Sequence, residues 1–354
     1  MTSRQQLAFY NSFSQHGSGN AQVVINPQDV ILLVHIAYFD VYENEADWFM
    51  QEFKLITQLG FYSITPDVLD KLSKQSVENA IRFIEMSGAI NPQNVIYLYL
   101  KNLSELFRRR FKYYRILKSQ PFPEVDQIGP RCLLEYGNCN DDLLFSWMRW
   151  RKLIYDIDNR SAQETGYLFE PIIASCLGGE PKSHHNSPIK RLANNDEPTN
   201  EGRQIDCLVD DTQTVYELKL RVTIAASGQG RFAEELSFPK EAQHAGFKPI
   251  LIVFDPTPST LLCKLKEMYI NHGGECAVGE AAWALLSEKA GAEMGKYILK
   301  YIKPAISKME DASTQLPSGI SLNVTQNQLI IRNEAGDTYT IPRSAVDTPS
   351  TFEY

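Results

Sequence analysis

The sequence predicts an α/β protein, and three patterns in its second half carry the prediction. Gln204–Val209 and Thr214–Leu220 are rich in Ile, Val, Leu and Tyr with polar turn residues between them, which is typical of two paired strands. Lys248–Asp255 is a continuous apolar run of the kind found in strands buried on both faces. Helical patterns separate these strands, and this alternation favours a sheet covered by helices.

Length and composition bound the architecture. The 354 residues, 43% of them hydrophobic, can build one large domain or two ordinary ones. We expect a mainly helical region over residues 1–160, the α/β core over 161–305 and a small β meander over 306–354. No apolar run approaches the roughly 20 residues that span a bilayer, and the N-terminus lacks a signal core, so we expect a cytoplasmic protein without membrane contact. Six scattered cysteines without a Cys-x-x-Cys pair indicate neither a disulfide framework nor a thiolate zinc site.

The first 100 residues predict helices that pack into a core. Residues 1–20 are polar and predict a loose arm. Asn26-Pro27 and Asn91-Pro92 mark helix starts before apolar residues at helical spacing, and Ser76–Met86 continues the pattern. His35 lies within an apolar segment, so we predict a core histidine with satisfied hydrogen bonds rather than a catalytic group.

One basic stretch, SELFRRRFKYYRILK at residues 104–118, stands out in an acidic protein. The net charge is −8, whereas residues 101–160 hold 12 basic and 8 acidic side chains. Composition supports two interpretations equally: a helix that contacts DNA phosphates, or an amphipathic helix whose basic face is only solvated. The DNA-binding candidates in this stretch are Arg108, Arg109, Arg110, Lys112 and Arg115.

The region between residues 141 and 203 predicts two helices followed by a polar loop. Asp141–Ile157 and Gly166–Leu177 have helical patterns, and Pro171 indicates a helix start or a kink within the second. Residues 178–202 are rich in Gly, Pro and Asn, which predicts a loop with one short strand around Pro188–Leu192. Loops beside an active site often carry recognition, so three basic side chains here are candidates for DNA contact: Lys190, Arg191 and Arg203.

The paired strands carry a constellation of two carboxylates and a lysine. If the two-residue turn is Asp211-Thr212, the strand register sets Asp206 directly opposite Glu217, with Cβ atoms roughly 5 Å apart. The side-chain period of two then puts Lys219 on the same face as Glu217. An Asp followed by Glu-x-Lys also arises by chance, and exposed hairpins carry such pairs too. The apolar flanks of both strands favour a buried sheet with a functional site.

Two carboxylates at this separation repel each other unless a cation lies between them. A hard divalent ion such as Mg²⁺ suits them, because it commonly takes only one or two protein carboxylates and keeps its other positions for water and phosphate. Asp206 and Glu217 are therefore candidate Mg²⁺ ligands. Lys219 could orient an attacking water as an ammonium, or deprotonate it as an amine. The constellation suggests metal-dependent phosphodiester hydrolysis.

The segment IDCLVDDTQTVYELK resembles the signature of the PD-(D/E)XK nuclease superfamily, with Asp206 matching the first acid, Glu217 the second and Lys219 the lysine. Ile205 stands where the signature often has Pro. The resemblance implies a restriction-endonuclease-like core, with a mixed central sheet flanked by helices and a helical N-terminal decoration. Its first helix often contributes another Glu, and in GYLFEPIIASCLGG this is Glu170. Within the superfamily, the decorated size of the chain and its AASGQGRF segment most resemble type II restriction endonucleases of the ApaLI-like group.

A glycine-rich segment, AASGQGRF at residues 225–232, links the lysine strand to the next helix. Backbone N–H groups of such a turn can bind a phosphate at the helix N-terminus, and Gln and Arg side chains can bond adenine and guanine edges. Any strand-to-helix connection could equally use two glycines. The DNA-binding candidates around this segment are Arg221, Ser227, Gln229 and Arg231.

The remaining residues predict further helices and strands around the core. Ser259 can cap the helix LLCKLKEMYI, the short strand ECAVG follows, and a long helix runs from Glu280 to about Lys303. Ser318–Pro342 predicts the β meander.

These features predict a Mg²⁺-dependent type II restriction endonuclease that hydrolyses double-stranded DNA at a specific site. One alternative is a repair or recombination nuclease with the same core, and another is a DNA-binding module that has lost catalysis. The complete set of Asp206, Glu217 and Lys219 argues against the latter. Because a palindromic site presents two identical half-sites, cleavage of both strands predicts a homodimer.

Overall fold

The computed structural model describes residues 3–16, 23–57, 61–124, 140–220, 231–304 and 319–343. The chain falls into two compact units: unit 1 comprises residues 1–165 and 309–354, and unit 2 comprises residues 166–308. Unit 1 is mainly helical and unit 2 contains a five-stranded mixed sheet, so the predicted mixture of helices with a mixed sheet is confirmed. Within the described residues, no helix combines the length and the apolar character needed to cross a membrane.

Helices dominate the first half of the described chain, and strands become frequent after residue 180. The helices are α1 (Ser3–Ser14), α2 (Pro27–Tyr42), α3 (Gln51–Thr57), α4 (Pro66–Leu69), α5 (Val77–Ser87), α6 (Val95–Ser119), α7 (Asp141–Cys176), α8 (Arg231–His244), α9 (Thr260–Asn271) and α10 (Glu280–Tyr297). The strands are β1 (Gln15–His16), β2 (Val23–Val24), β3 (Glu180–Lys182), β4 (Lys190–Leu192), β5 (Pro198–Gly202), β6 (Ile205–Val209), β7 (Thr214–Lys219), β8 (Lys248–Val253), β9 (Glu275–Val278), β10 (Ile320–Val324), β11 (Gln328–Asn333) and β12 (Thr338–Pro342).

Helix α2 forms the centre of unit 1. It begins as predicted, with Asn26 as the N-cap residue and Pro27 in the first turn, where a missing N–H costs nothing. Every side chain from Asp29 to Ala37 is buried, and α2 packs against α3, α5 and α6. A helix that is apolar on all sides is stable only when other elements surround it.

His35 lies inside this helical core, fully buried. Its Nδ1 is 2.8 Å from the carbonyl oxygen of Ile31, and its Nε2 is 3.0 Å from the backbone nitrogen of Met50, which donates to it. One ring nitrogen thus donates and the other accepts, as in a neutral imidazole. Burial lowers the pKa of His35 to about 4. The prediction of a satisfied core histidine is confirmed.

Strands β10, β11 and β12 form an antiparallel sheet in unit 1, which confirms the predicted meander. Arg343, directly after β12, donates to the carbonyl oxygens of Leu117, at 3.0 Å, and of Gln120. These carbonyls lie at the C-terminal end of α6, where a cation is favoured by the helix dipole. The meander is therefore anchored to α6.

The central sheet of unit 2 has the strand order β3-β6-β7-β8-β9. Strands β3, β6 and β7 pair antiparallel, whereas β7, β8 and β9 pair parallel. The parallel neighbours require crossover connections, which α8 and α9 supply. Strand β8 is buried from Pro249 to Val253, as its apolar sequence predicts.

The core of unit 2 lies between this sheet and helices α8 and α9. Leu208 of β6 and Val215 of β7 are paired residues, so they share the sheet face that these helices cover. Since side chains alternate along a strand, Asp206 and Glu217 lie on that same face. The buried cluster consists of Ile189, Ile205, Leu208, Val215, Phe238, Ala242, Leu251, Val253, Leu262, Leu265 and Tyr269.

Four local predictions were wrong. Residues 3–14 form α1 rather than a loose arm, because Tyr10 and Phe13 bury their rings. Residues 141–176 form one helix rather than two, since residues 158–165 contain neither Gly nor Pro to interrupt it. Helix α6 begins after Asn94, whose side chain accepts a bond from the backbone N–H of Ile96, rather than at Asn91-Pro92. The predicted loop at residues 178–202 also contains β3 and β5.

Candidate active site

The hairpin of β6 and β7 has the register that the sequence predicts. Cys207 pairs with Tyr216, Leu208 with Val215 and Val209 with Thr214. One further step along this ladder sets Asp206 opposite Glu217. A short 3₁₀ turn, Asp210–Thr212, closes the hairpin, and Gln213 follows it with a φ of 49°.

Asp206 joins the two strands through its side chain. Its Oδ2 accepts a hydrogen bond of 2.9 Å from the backbone N–H of Leu218. Burial and the negative charges of Glu217 and Glu170 raise the pKa of Asp206 well above its usual range, although Lys219 and the bond from Leu218 oppose the shift. A carboxylate in this position is stabilised by a cation beside it.

Lys219 lies between two carboxylates. Its Nζ is 2.7 Å from Oε1 of Glu217 and 3.3 Å from Oε1 of Glu235, which lies on α8. The side chains of Lys219, Glu217 and Glu235 are 20%, 18% and 21% exposed, so this group borders solvent. Burial lowers the pKa of Lys219, but the charges of Glu217, Glu235 and Asp206 outweigh burial and raise it overall. Lys219 therefore stays protonated as an ammonium.

Glu170 lies within electrostatic reach of the hairpin carboxylates. It is half-buried on α7, which continues through Pro171 without a break. Burial and the charge of Glu217 raise the pKa of Glu170, while Lys219 lowers it. The helix thus brings a third acid towards Asp206 and Glu217, the arrangement that the sequence resemblance implies.

A cleft of about 420 Å³ opens beside these carboxylates within unit 2. It exposes acids from two strands and one helix next to the apolar rings of the core. Its lining residues are His184, Arg191, Gly202, Arg203, Gln204, Asp206, Glu217, Glu234, Glu235, Phe238, Leu265 and Tyr269.

The donor set of this cleft fits a hard divalent ion that keeps most of its water. Among the described residues, no three His, Cys, Asp or Glu side chains are grouped closely enough to form a complete protein cage for a metal. Asp206 and Glu217 could supply two oxygen ligands, and Mg²⁺ commonly takes one or two carboxylates with water and phosphate in the other positions. A cation here would also relieve the repulsion that raises the pKa of Asp206.

Arg203 is buried and bonds to other residues of unit 2. It is 7% exposed and forms an ion pair with Glu241, which is 4% exposed. Its Nη2 also donates to the carbonyl oxygen of Glu234 at 2.6 Å and to Oγ of Ser237 at 2.9 Å. This placement does not favour the predicted DNA contact, because the guanidinium instead fastens the start of β6 to α8.

Two other cations of the predicted loop lie nearer solvent. Arg191 is half-buried, with Nε 3.2 Å from Glu201 and Nη1 3.3 Å from Glu234. Lys190 is also half-buried, at the start of β4. Arg191 lines the cleft, so it lies closer to the carboxylates than the sequence alone could indicate.

The remaining DNA-binding candidates are described only in part. In α6, Arg108 is 7% exposed with Nε 3.0 Å from Glu105, and this inward position does not favour phosphate contact, while Arg109 is half-buried. The side chains of Arg110, Lys112, Arg115 and Arg231 lie outside the described part, although α6 and α8 include their backbones. Arg221, Ser227 and Gln229 lie outside the described residues altogether.

Glu235 and Tyr269 are two of the cleft residues that sequence reasoning missed. Glu235 follows Glu234 near the start of α8, and a carboxylate in the helix after the lysine strand was a weak signal for it. Tyr269 lies near the end of α9, 1% exposed. It lines the cleft together with Asp206, Glu217 and Glu235, and burial and the charges of these acids raise the pKa of its phenol. Neither position could be inferred without the packing of α8 and α9 on the sheet.

Known proteins resemble this chain over the same region. The model of the ApaLI-like restriction endonuclease family matches residues 63–303, which include α7, the hairpin and α8. The chain belongs to the ApaLI-like restriction endonuclease family. The predicted resemblance to type II restriction endonucleases of the ApaLI-like group is therefore confirmed.

One curated relative extends this family assignment. The type II restriction enzyme ApaLI of Acetobacter pasteurianus is 45% identical over 274 residues, which cover 76% of this chain and 66% of that enzyme. The aligned part thus spans just under two thirds of the relative's length. No solved structure matches the chain.

Proposed function

We propose that this protein is a Mg²⁺-dependent type II restriction endonuclease built on a PD-(D/E)XK core. The observation that carries the proposal is the register of β6 and β7, which opposes Asp206 to Glu217 and sets Lys219 on the same face beside an open cleft. Membership of the ApaLI-like family, whose 45% identical relative is named a type II restriction enzyme, supports the same reaction.

The strand order also supports the proposed core. A mixed sheet whose antiparallel hairpin carries the acids and whose next strands run parallel has the form that the sequence resemblance implies. Helix α7, with Glu170, precedes the hairpin, and α8 follows it. The positions of both helices support the proposed core.

The hairpin carboxylates, the lysine and Glu170 each have a defined part in the proposed hydrolysis. Asp206 and Glu217 would hold Mg²⁺, which when bound polarises the phosphate and lowers the pKa of a coordinated water. The Lys219 ammonium donates a hydrogen bond and carries a positive charge, so it can orient the attacking water and stabilise negative charge on the phosphate. Glu170 adds a third carboxylate at the edge of this group.

The proposed substrate is double-stranded DNA. Phosphate contact requires cations, and we assign it to the basic stretch of α6, especially Arg109, Arg110, Lys112 and Arg115. Arg191 at the cleft and the segment around Gln229 are proposed to contact the DNA close to the bond that is cut. A homodimer is proposed as well, because one site of this kind cuts one strand and a twofold dimer matches a palindromic duplex.

Digestion of plasmid DNA with Mg²⁺ tests the proposal. We expect discrete fragments from the wild-type protein. Asp206→Ala should lower the cleavage rate by far more than about 100-fold, since even loss of an outer partner of a metal ligand costs about 10–100-fold. The same variant should still bind its cognate duplex in Ca²⁺, because the binding surface is intact.

Asp211→Ala is the matched control. It removes an exposed carboxylate from the turn of the same hairpin, so it should cut like the wild-type protein. Cleavage by Asp206→Ala at the wild-type rate would disprove the assignment of the site. A smear of products would favour a nuclease without site specificity, and DNA binding without cleavage would favour the binding module.

A further inference from the structure

The ammonium of Lys219 has a second carboxylate partner that the nuclease signature does not include. Glu235 reaches it from α8, with Oε1 3.3 Å from Nζ, whereas Glu217 reaches it from the neighbouring position on the same strand at 2.7 Å. All three side chains are about four-fifths buried. Lys219 is therefore held between a strand and a helix, and not by the hairpin alone.

Glu217 serves two purposes in this arrangement. It is the nearest acceptor for Lys219, and under the proposed function it is also a ligand of Mg²⁺. A carboxylate that gives electron density to a dication is a poorer partner for an ammonium, and the dication itself repels Lys219. A flexible four-carbon side chain would then move away from the cleft unless another anion held it.

We infer that Glu235 is the positioning residue that keeps the Lys219 ammonium beside the cleft carboxylates while Glu217 binds the metal. This inference rests on the proposed function. It assigns Glu235 a role through Lys219, with which its carboxylate forms an ion pair, and no contact with DNA or metal. Helix α8 thereby acts on catalysis through the ion pair of Glu235 with Lys219.

The inference is tested by a double-mutant cycle in single-turnover cleavage, with enzyme in excess over a duplex that contains the cognate site. Glu235→Gln keeps the shape of the side chain and removes its charge. We expect its rate to fall by about 10–100-fold, the usual effect of losing an outer partner of an active-site group. Affinity for the same duplex in Ca²⁺ should stay within about twofold, which separates positioning from binding.

Lys219→Ala supplies the second arm of the cycle. If Glu235 acts only through Lys219, adding Glu235→Gln to Lys219→Ala should slow the residual cleavage by no more than about twofold, because coupled residues are not additive. Glu267→Gln, which neutralises an exposed carboxylate of α9, is the control and should leave the rate unchanged.

Two results would overturn the inference. The first is that Glu235→Gln lowers the cleavage rate by the same factor in the wild-type protein and in Lys219→Ala. The second is that Glu235→Gln needs a higher Mg²⁺ concentration for cleavage, which would make Glu235 a metal ligand. Glu235→Ala is a second variant that removes the same charge, and a thermal melt of each variant shows whether it is folded at the assay temperature. A wild-type protein that does not cut at all would instead refute the proposed function, whereas failure of the inference alone leaves wild-type cleavage intact.

Discussion

The buried ion pair of Arg203 and Glu241 should contribute strongly to the unfolding free energy of unit 2. Glu241 joins the helix α8 to the β-strands in two ways: it pairs with Nε of Arg203, and its Oε1 accepts from the backbone N–H of Leu192 at 3.2 Å. Both charged side chains are more than nine-tenths buried. The perturbation is Glu241→Ala, which removes both bonds and leaves the guanidinium inside the protein.

The expected cost follows from these contacts. Removing one partner of a buried ion pair costs about 3–5 kcal/mol, because the other charge remains in a medium that solvates it poorly. Arg203 would keep the carbonyl oxygen of Glu234 and Oγ of Ser237 as acceptors, which favours the lower end of that range. The backbone N–H of Leu192 also loses its acceptor, which costs about 1 kcal/mol of stability. We therefore expect a loss of about 4 kcal/mol.

An exposed ion pair between α8 and the turn that joins β4 to β5 offers a matched control. Lys240 of α8 pairs with Asp196, but their side chains are 43% and 62% exposed. An exposed pair contributes at most about 1 kcal/mol, so Lys240→Ala should be nearly neutral. Hydrogen exchange of the buried amides in β8 measures the unfolding free energy of this unit in each variant.

A third variant separates the ion pair from simple packing. Replacing both partners together, as Arg203→Met with Glu241→Leu, removes the buried charges and should be much less costly than Glu241→Ala alone. The reasoning is refuted if Glu241→Ala destabilises the unit no more than Lys240→Ala does.

Three further predictions concern unit 1 and the assembly. Burial lowers the pKa of His35 to about 4 in the folded state, whereas the unfolded-state pKa is about 6.5. Between these values the unfolded state binds one more proton than the folded state, so the free energy of unfolding should fall by about 3 kcal/mol from pH 6.5 to pH 4. Above pH 6.5 His35 is neutral in both states and does not make stability depend on pH. His35→Gln should abolish that part of the pH dependence in urea titrations, and an unchanged profile would contradict it. Neutralising Lys112 or Arg115 in α6 should weaken binding to all DNA sequences alike and reduce the salt slope by about one; an unchanged slope would favour a merely solvated helix face. Sedimentation with a cognate duplex should give two chains per duplex, and a one-chain complex that cuts both strands would refute the homodimer.

Local sequence patterns were sufficient for the parts of the site that lie close together in the chain. The register of Asp206 against Glu217 follows from the side-chain period of two and the polar turn between the strands, and both are local. The start of α2 at Asn26-Pro27 is local as well, because proline is tolerated in the first turn of a helix. The cap of α5 is also local, since the side chain of Ser76 accepts a bond from the backbone N–H of Asn79 in the first turn. The buried strand β8 was predicted by its continuous apolar run.

Only the tertiary structure decided the contacts that connect distant segments. Glu235 meets Lys219 across 16 positions and Glu241 meets Arg203 across 38, and neither pairing leaves a trace in local periodicity. Strand β3 has just three residues, two of them charged, and exists because β6 offers it an edge. The sequence by itself determined which residues carry the proposed chemistry. The packing of α8 and α9 on the sheet decided which charges surround them, because that packing depends on the fit of side chains that are far apart in the chain.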